Sequence, residues 1–212
     1  MSWNLISNVI VSFSASFVAV LVSLWIERKR LPKIDIVVGE DANSDNTYSS
    51  PNAHAGERWK FFRVRVINHK FPIPLSWISR QTAENCTAEV TFTKVGATGR
   101  IMSMKGRWAS TLELAYLPAE QAFIKVLFPD PVSIIPGASE TLDIFTKYEE
   151  DKEAYGWNNE SYAHNWRHPG YILERGQYEI KVKITTQNGI RAMRIFRCQI
   201  ADKIENTTLV KY

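Results

Sequence analysis

The sequence predicts an all-β domain, built as an immunoglobulin-like antiparallel sandwich or as a small β-barrel, behind one N-terminal transmembrane helix. Two observations predict this fold class. An uncharged apolar run lies near the N-terminus, and the segments after it alternate apolar and polar residues, the period-2 pattern of half-buried strands. Turn residues separate these segments, as in antiparallel sheets. No stretch after residue 31 shows a sustained helical period, so we expect no further long helix.

The first element is the apolar run from Leu5 to Ile26, in which no residue is charged. A helix of that length covers the roughly 30 Å hydrocarbon core of a bilayer. A cleaved signal peptide would need a basic residue ahead of a shorter apolar core, and residues 1–4 contain no Lys or Arg. We therefore predict a tail over 1–4, a retained anchor over 5–26, a basic linker over 27–33 and a β-domain over 34–212.

A basic cluster follows the predicted span and determines its orientation. Under the positive-inside rule, such a cluster places the C-terminal domain in the cytoplasm, where it also contacts anionic lipid. Together with Glu27, this cluster supplies three of the chain's four net positive charges, so the β-domain is close to neutral. We expect the bilayer, and no nucleic acid, as the partner of these charges. The cluster consists of Arg28, Lys29, Arg30 and Lys33.

Small and polar residues recur every three or four positions along the predicted span and therefore share one helix face. Such a face lets two helices approach closely and hydrogen-bond to each other, which predicts self-association of the anchor. The alternative is that each Ser bonds to a carbonyl of its own helix. The residues of this face are Asn8, Ser12, Ser16, Ala19 and Ser23.

The first half of the β-domain contains four predicted strands. The first runs from Lys33 to Val38, and a polar loop over 39–56 follows it. Two longer strands are predicted over Trp59–Asn68 and Asn85–Lys94, each with apolar side chains on alternate positions. A glycine-containing turn then leads into a hairpin partner from Arg100 to Lys105.

The second half continues the same pattern. Strands are predicted over Ala122–Phe128, Glu140–Lys147 and Gln177–Thr186. The dipeptide Asn188-Gly189 is a strong hairpin signal, so we expect the segment Ile190–Ile200 to pair with the strand before it.

Two cysteines, Cys86 and Cys198, lie on the predicted inward faces of their strands. In an extracellular sandwich they would be able to bridge the two sheets. In the cytoplasm, the compartment that the basic cluster indicates, we expect them to be reduced and to act as small apolar core residues.

An aromatic-rich segment extends from Tyr148 to Tyr171, and three interpretations of it are open. Its rings form a lid over one end of the domain, stack on a small ligand or nucleotide, or bind a partner protein. His164 and His168 are four residues apart, but Pro169 and Gly170 follow them directly and no third ligand is near, so we expect no metal. The candidate binding residues are Tyr155, Trp157, Tyr162, His164, Trp166 and His168.

The sequence contains no P-loop, dinucleotide fingerprint, metalloprotease motif or nucleophile elbow, and no convergent acid–base groups. We expect a non-enzymatic protein without a cofactor. The favoured function is a membrane-anchored interaction or assembly module at the cytoplasmic membrane face, with a protein partner of unknown identity. The alternative is a ligand-responsive sensor–effector, for example in prokaryotic defence, whose helix oligomerises to perturb the membrane. A third possibility, an extracytoplasmic domain, requires the reverse topology.

Overall fold

Two antiparallel β-sheets make up most of the chain after residue 33 in the computed structural model, which describes residues 3–43, 57–73, 78–96, 102–112, 114, 117–164 and 166–212. Side chains are described for all of these except 3–11, 42–43 and 162–163. The two sheets enclose one core, to which strands of both contribute. This arrangement agrees with the predicted all-β domain.

The first sheet has the order β1-β3-β8-β9-β10, with β2 paired to β3 and β6 paired to β8. Its strands are β1 (Ile34–Val38), β2 (Ala42–Asn43), β3 (Trp59–Asn68), β6 (Arg107–Trp108), β8 (Ser139–Tyr148), β9 (Ala154–Gly156) and β10 (Ile172–Leu173).

The second sheet has the order β13-β12-β11-β4-β5, with β7 paired to β4. Its strands are β4 (Ala83–Lys94), β5 (Met102–Lys105), β7 (Val132–Ile134), β11 (Gly176–Thr185), β12 (Arg191–Ile200) and β13 (Thr208–Lys211). Short 3₁₀ helices occupy Asn159–His164, Pro169–Tyr171 and Ile204–Asn206.

The alternating segments form strands where the sequence predicts them. On β4, for example, Cys86, Ala88, Val90 and Phe92 are buried, and on β11 the residues Tyr178, Ile180, Val182 and Ile184 are buried. The hairpin around Asn188-Gly189 joins β11 to β12, with Thr185 opposite Arg191. Period-2 burial therefore determines these strands, because each has one face on the core and one face on solvent.

The prediction of a strand over Ala122–Phe128, and of no helical period after residue 31, is wrong. Residues Ala119–Leu127 form an α-helix, α2, that starts after Pro118 with a hydrogen bond from Ala122 N to Pro118 O (2.9 Å). The helix is rich in Ala, Glu, Gln, Lys and Leu, which favour helices, and its apolar residues fall at helical rather than alternate spacing. The predicted strand began at Ala122 and therefore left out the first turn of this helix, residues 119–121.

Gly106 marks the point where the chain passes from one sheet to the other. β5 pairs with β4 in the second sheet, and β6 pairs with β8 in the first, so the connection between them crosses the core. A Cβ atom at residue 106 would lie 2.8 Å from the Cβ of Ala88 and 2.9 Å from Cδ1 of Leu142. Only glycine fits there, because a strand of each sheet approaches the backbone directly.

Both cysteines are free and buried, Cys86 on β4 and Cys198 on β12. The prediction that both side chains lie in the core is confirmed. Burial raises the pKa of the Cys86 thiol to about 11 and also raises the pKa of Cys198. These thiols pack as small apolar groups.

The N-terminal helix, α1, runs from Trp3 to Arg30. Its described large apolar side chains, from Phe13 to Trp25, are exposed. Within the described part of the chain, no helix meets the joint requirements of length and apolar content for crossing a membrane. The C-terminal end of α1 is held by the domain, because Arg80 Nη1 donates to Lys29 O (2.9 Å) and to Leu31 O (3.2 Å).

Candidate interaction site

The helix α2 presents an apolar surface to solvent. All nine residues of α2 are described, and none of them is buried. Four large apolar side chains lie on one side of the helix and its C-terminal cap, at relative positions i, i+1, i+4 and i+5, and they are between 45% and 67% exposed. We call this surface the α2 face; it consists of Phe123, Ile124, Leu127 and Phe128. A contiguous exposed apolar surface of this kind is typical of an interaction site.

The C-terminal end of α2 is held in place by two polar side chains. Asn159 Nδ2 donates to Lys125 O at 2.7 Å, and Lys105 Nζ donates to Leu127 O at the same distance. The Lys105 ammonium also lies 5.0 Å from the ring centroid of Phe128, within the range of a cation–π interaction. A cation at the last carbonyls of a helix stabilises it. The helix is thus fixed to β5 and to the 3₁₀ helix Asn159–His164 while its apolar side stays open.

A cavity of about 630 Å³ lies beside Phe128 of the α2 face, and residues of β4, β5 and β11 contribute to its lining. Its volume is in the range of small-molecule sites. Apolar and charged side chains share its lining, among them Lys105, Phe128, Glu160, Tyr171 and Lys183. Lys183 pairs with Glu89 at 3.3 Å, and the Tyr171 hydroxyl donates to Glu160 Oε2 at 2.5 Å, so several of the charged groups already have partners.

Three of the predicted binding residues, Tyr155, Trp157 and Trp166, pack against the domain, whereas His164 is exposed. Tyr155 and Trp157 are buried, and Trp166 is half-buried. The ring of Trp157 lies 4.7 Å from Phe61 of β3 and 4.2 Å from Trp166, measured between centroids. Burial raises the pKa of Tyr155 to about 12. This is the packing expected of the lid interpretation.

The structure brings the two histidines together. The rings of His164 and His168 lie 4.1 Å apart, and Nδ1 of His168 accepts a hydrogen bond from Gly170 N (3.0 Å). Burial lowers the pKa of His168, and the neighbouring His164 lowers it further. Among the described residues there is no group of three side chains that would hold a metal. The side chain of Tyr162, the remaining predicted residue, lies outside the described part.

Arg167 holds the aromatic segment, and the sequence analysis did not identify it. Its Nε donates to Asp151 Oδ2 at 2.7 Å, and its Nη2 donates to the Glu57 carboxylate. The guanidinium also lies 4.0 Å from the ring centroid of Tyr148. The contact with Glu57 reaches a residue 110 positions away, so no local pattern would have indicated this role.

The residues predicted for membrane-helix association lie on α1. Ser12, Ser16, Ala19 and Ser23 are exposed, and the side chain of Asn8 lies outside the described residues. Ser23 Oγ donates to Ala19 O of the same helix at 2.9 Å. This bond corresponds to the alternative in which a Ser hydrogen-bonds to its own helix rather than to a second one. Of the predicted lipid-contacting residues, Arg28, Lys29 and Lys33 are exposed, and Arg30 pairs with Glu27 at 3.1 Å.

Comparison of the chain with protein-family models gives no match, and comparison with curated proteins gives none either.

Proposed function

We propose that this protein is a non-enzymatic, single-pass membrane-anchored module whose β-domain binds a protein partner through the α2 face at the cytoplasmic side of the cell membrane. The single observation that carries the proposal is the exposure of Phe123, Ile124, Leu127 and Phe128 on a helix whose backbone is fixed to the domain. A preformed helix face with apolar anchors suits a groove or helix of a partner protein. We further propose that the β-domain is an immunoglobulin-like sandwich rather than a closed barrel, which its two sheets with separate strand orders support.

The support for the anchor lies in the apolar run Leu5–Ile26 and in the basic residues that follow it. At about 1.5 Å rise per residue, the helix Trp3–Arg30 is longer than the roughly 30 Å hydrocarbon core. Part of the run, residues 5–11, lies outside the described side chains. An anchor raises the effective concentration of a partner at the same membrane, so a modest interface suffices.

The proposal is tested by photo-crosslinking in the native membrane. A photoreactive phenylalanine at position 123 or 128 should give one discrete adduct with another protein, whereas the same probe at Tyr212, an exposed aromatic residue just after β13, should give none. Adding Ile124→Asp should remove the adduct. An adduct of twice the 24.3 kDa chain would instead assign the α2 face to self-association. The absence of any adduct at either position would contradict the proposal.

The topology is tested separately. A reporter fused after Tyr212 should be active in the cytoplasm if the positive-inside rule holds for the cluster Arg28–Arg30. An active extracytoplasmic reporter would overturn the orientation and favour a surface domain.

A second candidate function, a ligand-responsive sensor–effector, is favoured by the cavity beside the α2 face. Tyr171 and Phe128 would offer aromatic surface to a small ligand or nucleotide, and Lys105 and Lys183 would offer positive charge. Ligand binding would then assemble α1 through the face that carries Asn8, Ser12 and Ser16. This candidate predicts toxicity on expression that Asn8→Leu with Ser16→Leu abolishes. A harmless wild-type chain at high expression would contradict it.

A further inference from the structure

Several segments meet at the end of the domain where α1 joins it, and the side chain of Asn68 connects them. Its Oδ1 accepts from Lys33 N at 3.2 Å, and its Nδ2 donates to Gln81 O (3.0 Å) and to Ile134 O (2.9 Å). Asn68 itself is fully buried. The linker after α1, the segment before β4 and the end of β7 are therefore held in one fixed arrangement.

The same end binds the last turn of α1. Arg80 Nη1 donates to the carbonyls of Lys29 and Leu31, and Gln81 N donates to Arg30 O at 2.7 Å. The Arg80 guanidinium stacks on Phe71, 4.2 Å from the ring centroid. Only residues 31–33 separate α1 from β1, and they span at most about 10 Å even when fully extended. These contacts and the short linker hold the domain close to the end of the helix.

Around this junction the domain exposes apolar and basic side chains together. Ile73 is 89% exposed, and Ile135, which follows the buried Ile134, is 61% exposed. Lys33, whose backbone N bonds to Asn68, and Lys70 are also exposed, and the stem of Lys70 lies against the turn at Gly137. We call this set the basal surface: Lys33, Lys70, Pro72, Ile73 and Ile135. Apolar tips with adjacent cations are the combination that suits the headgroup region of an anionic bilayer.

We infer that the basal surface lies on the lipid bilayer, with Ile73 and Ile135 in the interfacial layer and Lys33 and Lys70 at the lipid phosphates. This inference rests on the proposed anchor. If α1 crosses the bilayer, the short linker and the Arg80 contacts bring the basal surface to the headgroups. The domain then has one orientation on the membrane, and the opposite end, at the turn Val95-Gly96 after β4, points away from it.

The test uses the full chain reconstituted in vesicles of phosphatidylcholine and phosphatidylglycerol. Both native thiols are buried, so single cysteines introduced by Ile73→Cys, Ile135→Cys, Pro72→Cys, Phe13→Cys and Val95→Cys can be labelled selectively with an environment-sensitive fluorophore. Lipids that carry a quencher near the headgroup report contact with the interface, and lipids that carry the quencher on the acyl chain report residue 13, which lies well inside the proposed span Leu5–Ile26. Circular dichroism confirms that each variant is folded, and Pro72→Cys replaces either isoleucine variant if that variant does not fold.

Labels at residues 73 and 135 should lose at least half as much fluorescence to the headgroup quencher as the label at residue 13 loses to the acyl-chain quencher, whereas the label at residue 95 should be unaffected by either. Quenching at Phe13 without quenching at 73 and 135 would overturn the inference and leave the anchor standing. Quenching at 73 and 135 without quenching at Phe13 would support the basal surface and overturn the anchor. Equal quenching at Val95 would overturn the fixed orientation.

Discussion

The carboxylate of Asp143 lies 2.6 Å from Nε of Arg63, inside the first sheet. Its second oxygen lies 3.5 Å from Nη1 of Arg107. Asp143 on β8 is directly opposite Arg63 of β3 on one side and Arg107 of β6 on the other. The carboxylate is almost fully buried, so these two guanidinium groups are its main electrostatic partners and it joins three strands.

Replacing Asp143 with Asn should strongly destabilise the domain. The substitution keeps the volume of the side chain but leaves Arg63 and the buried Arg107 without the negative charge between them, which costs about 3–5 kcal/mol in a buried pair. Urea unfolding of the full chain measures the change. Asp202→Asn, which removes an exposed pair with Arg175 (2.8 Å), is the matched control and should cost less than about 1 kcal/mol. Equal effects of the two variants would show that burial of the first pair is energetically unimportant.

Gly106→Ala should destabilise the domain by about 1–3 kcal/mol, because the new methyl group overlaps Ala88 and Leu142 on opposite sheets. Combining it with Leu142→Ala makes room, so the loss in the double variant should be smaller than the sum of the two single losses. Denaturant midpoints of the four chains provide the measurement. Strict additivity would mean that residue 106 does not contact Leu142 in solution.

Asn68→Leu should also destabilise the domain, by roughly 3 kcal/mol, since it leaves Lys33 N, Gln81 O and Ile134 O without their bonds. Hydrogen exchange should show the loss of protection concentrated at the end of the domain that joins α1. Gln177→Leu, at an exposed amide on β11, serves as the control and should change stability by no more than about 0.5 kcal/mol. Unchanged exchange near residue 33 would contradict the role assigned to Asn68.

The segment Asn159–Tyr171 should loosen as the pH falls. Because the folded pKa of His168 is lowered, the neutral ring is favoured in the fold. The stability that it contributes is present above the ordinary His pKa of 6.5 and is lost as the pH falls through the lower folded value. The Gly170 amide should lose protection from exchange between about pH 7 and pH 5. His168→Asn keeps an acceptor for Gly170 N but does not titrate, so its protection should stay constant. The same acid response in this variant would show that His168 is not its cause.

Neither thiol should react with a disulfide reagent in the native chain at neutral pH. Burial raises the pKa of both groups, which suppresses the reactive thiolate, and also blocks access. In guanidinium chloride both should react at once. A native thiol that reacts as fast as in the unfolded chain would show that the core around Cys86 or Cys198 is open.

Most strands could be predicted because their burial alternates along the chain. Trp59–Asn68 forms β3 with the predicted bounds, and the hairpin at Asn188-Gly189 is local in sequence. The segment Ala119–Leu127 could not be placed by the same rule. Its apolar side chains face solvent rather than a core, so the short apolar run over residues 122–128 is compatible with both a strand and a helix.

The candidate interaction site could not be predicted from the sequence. An apolar residue on a helix ordinarily indicates the core, and nothing local shows that Phe123 and Phe128 are exposed. The aromatic residues of 148–171 attracted attention by composition, but Trp157 packs on Phe61. Composition identified an unusual segment and did not distinguish a lid from a binding surface.

The sequence by itself determined the apolar N-terminal run, the basic cluster after it, the near-neutral domain and the antiparallel β class. All of these depend on local composition or on a two-residue period, which neighbouring residues specify. Only the tertiary structure decided that Asp143 lies between two arginines, that Arg167 joins Glu57 to Asp151, and that Asn68 connects three segments beside α1. These contacts join residues far apart in the chain, so they exist only once the sheets have brought distant side chains to the same place.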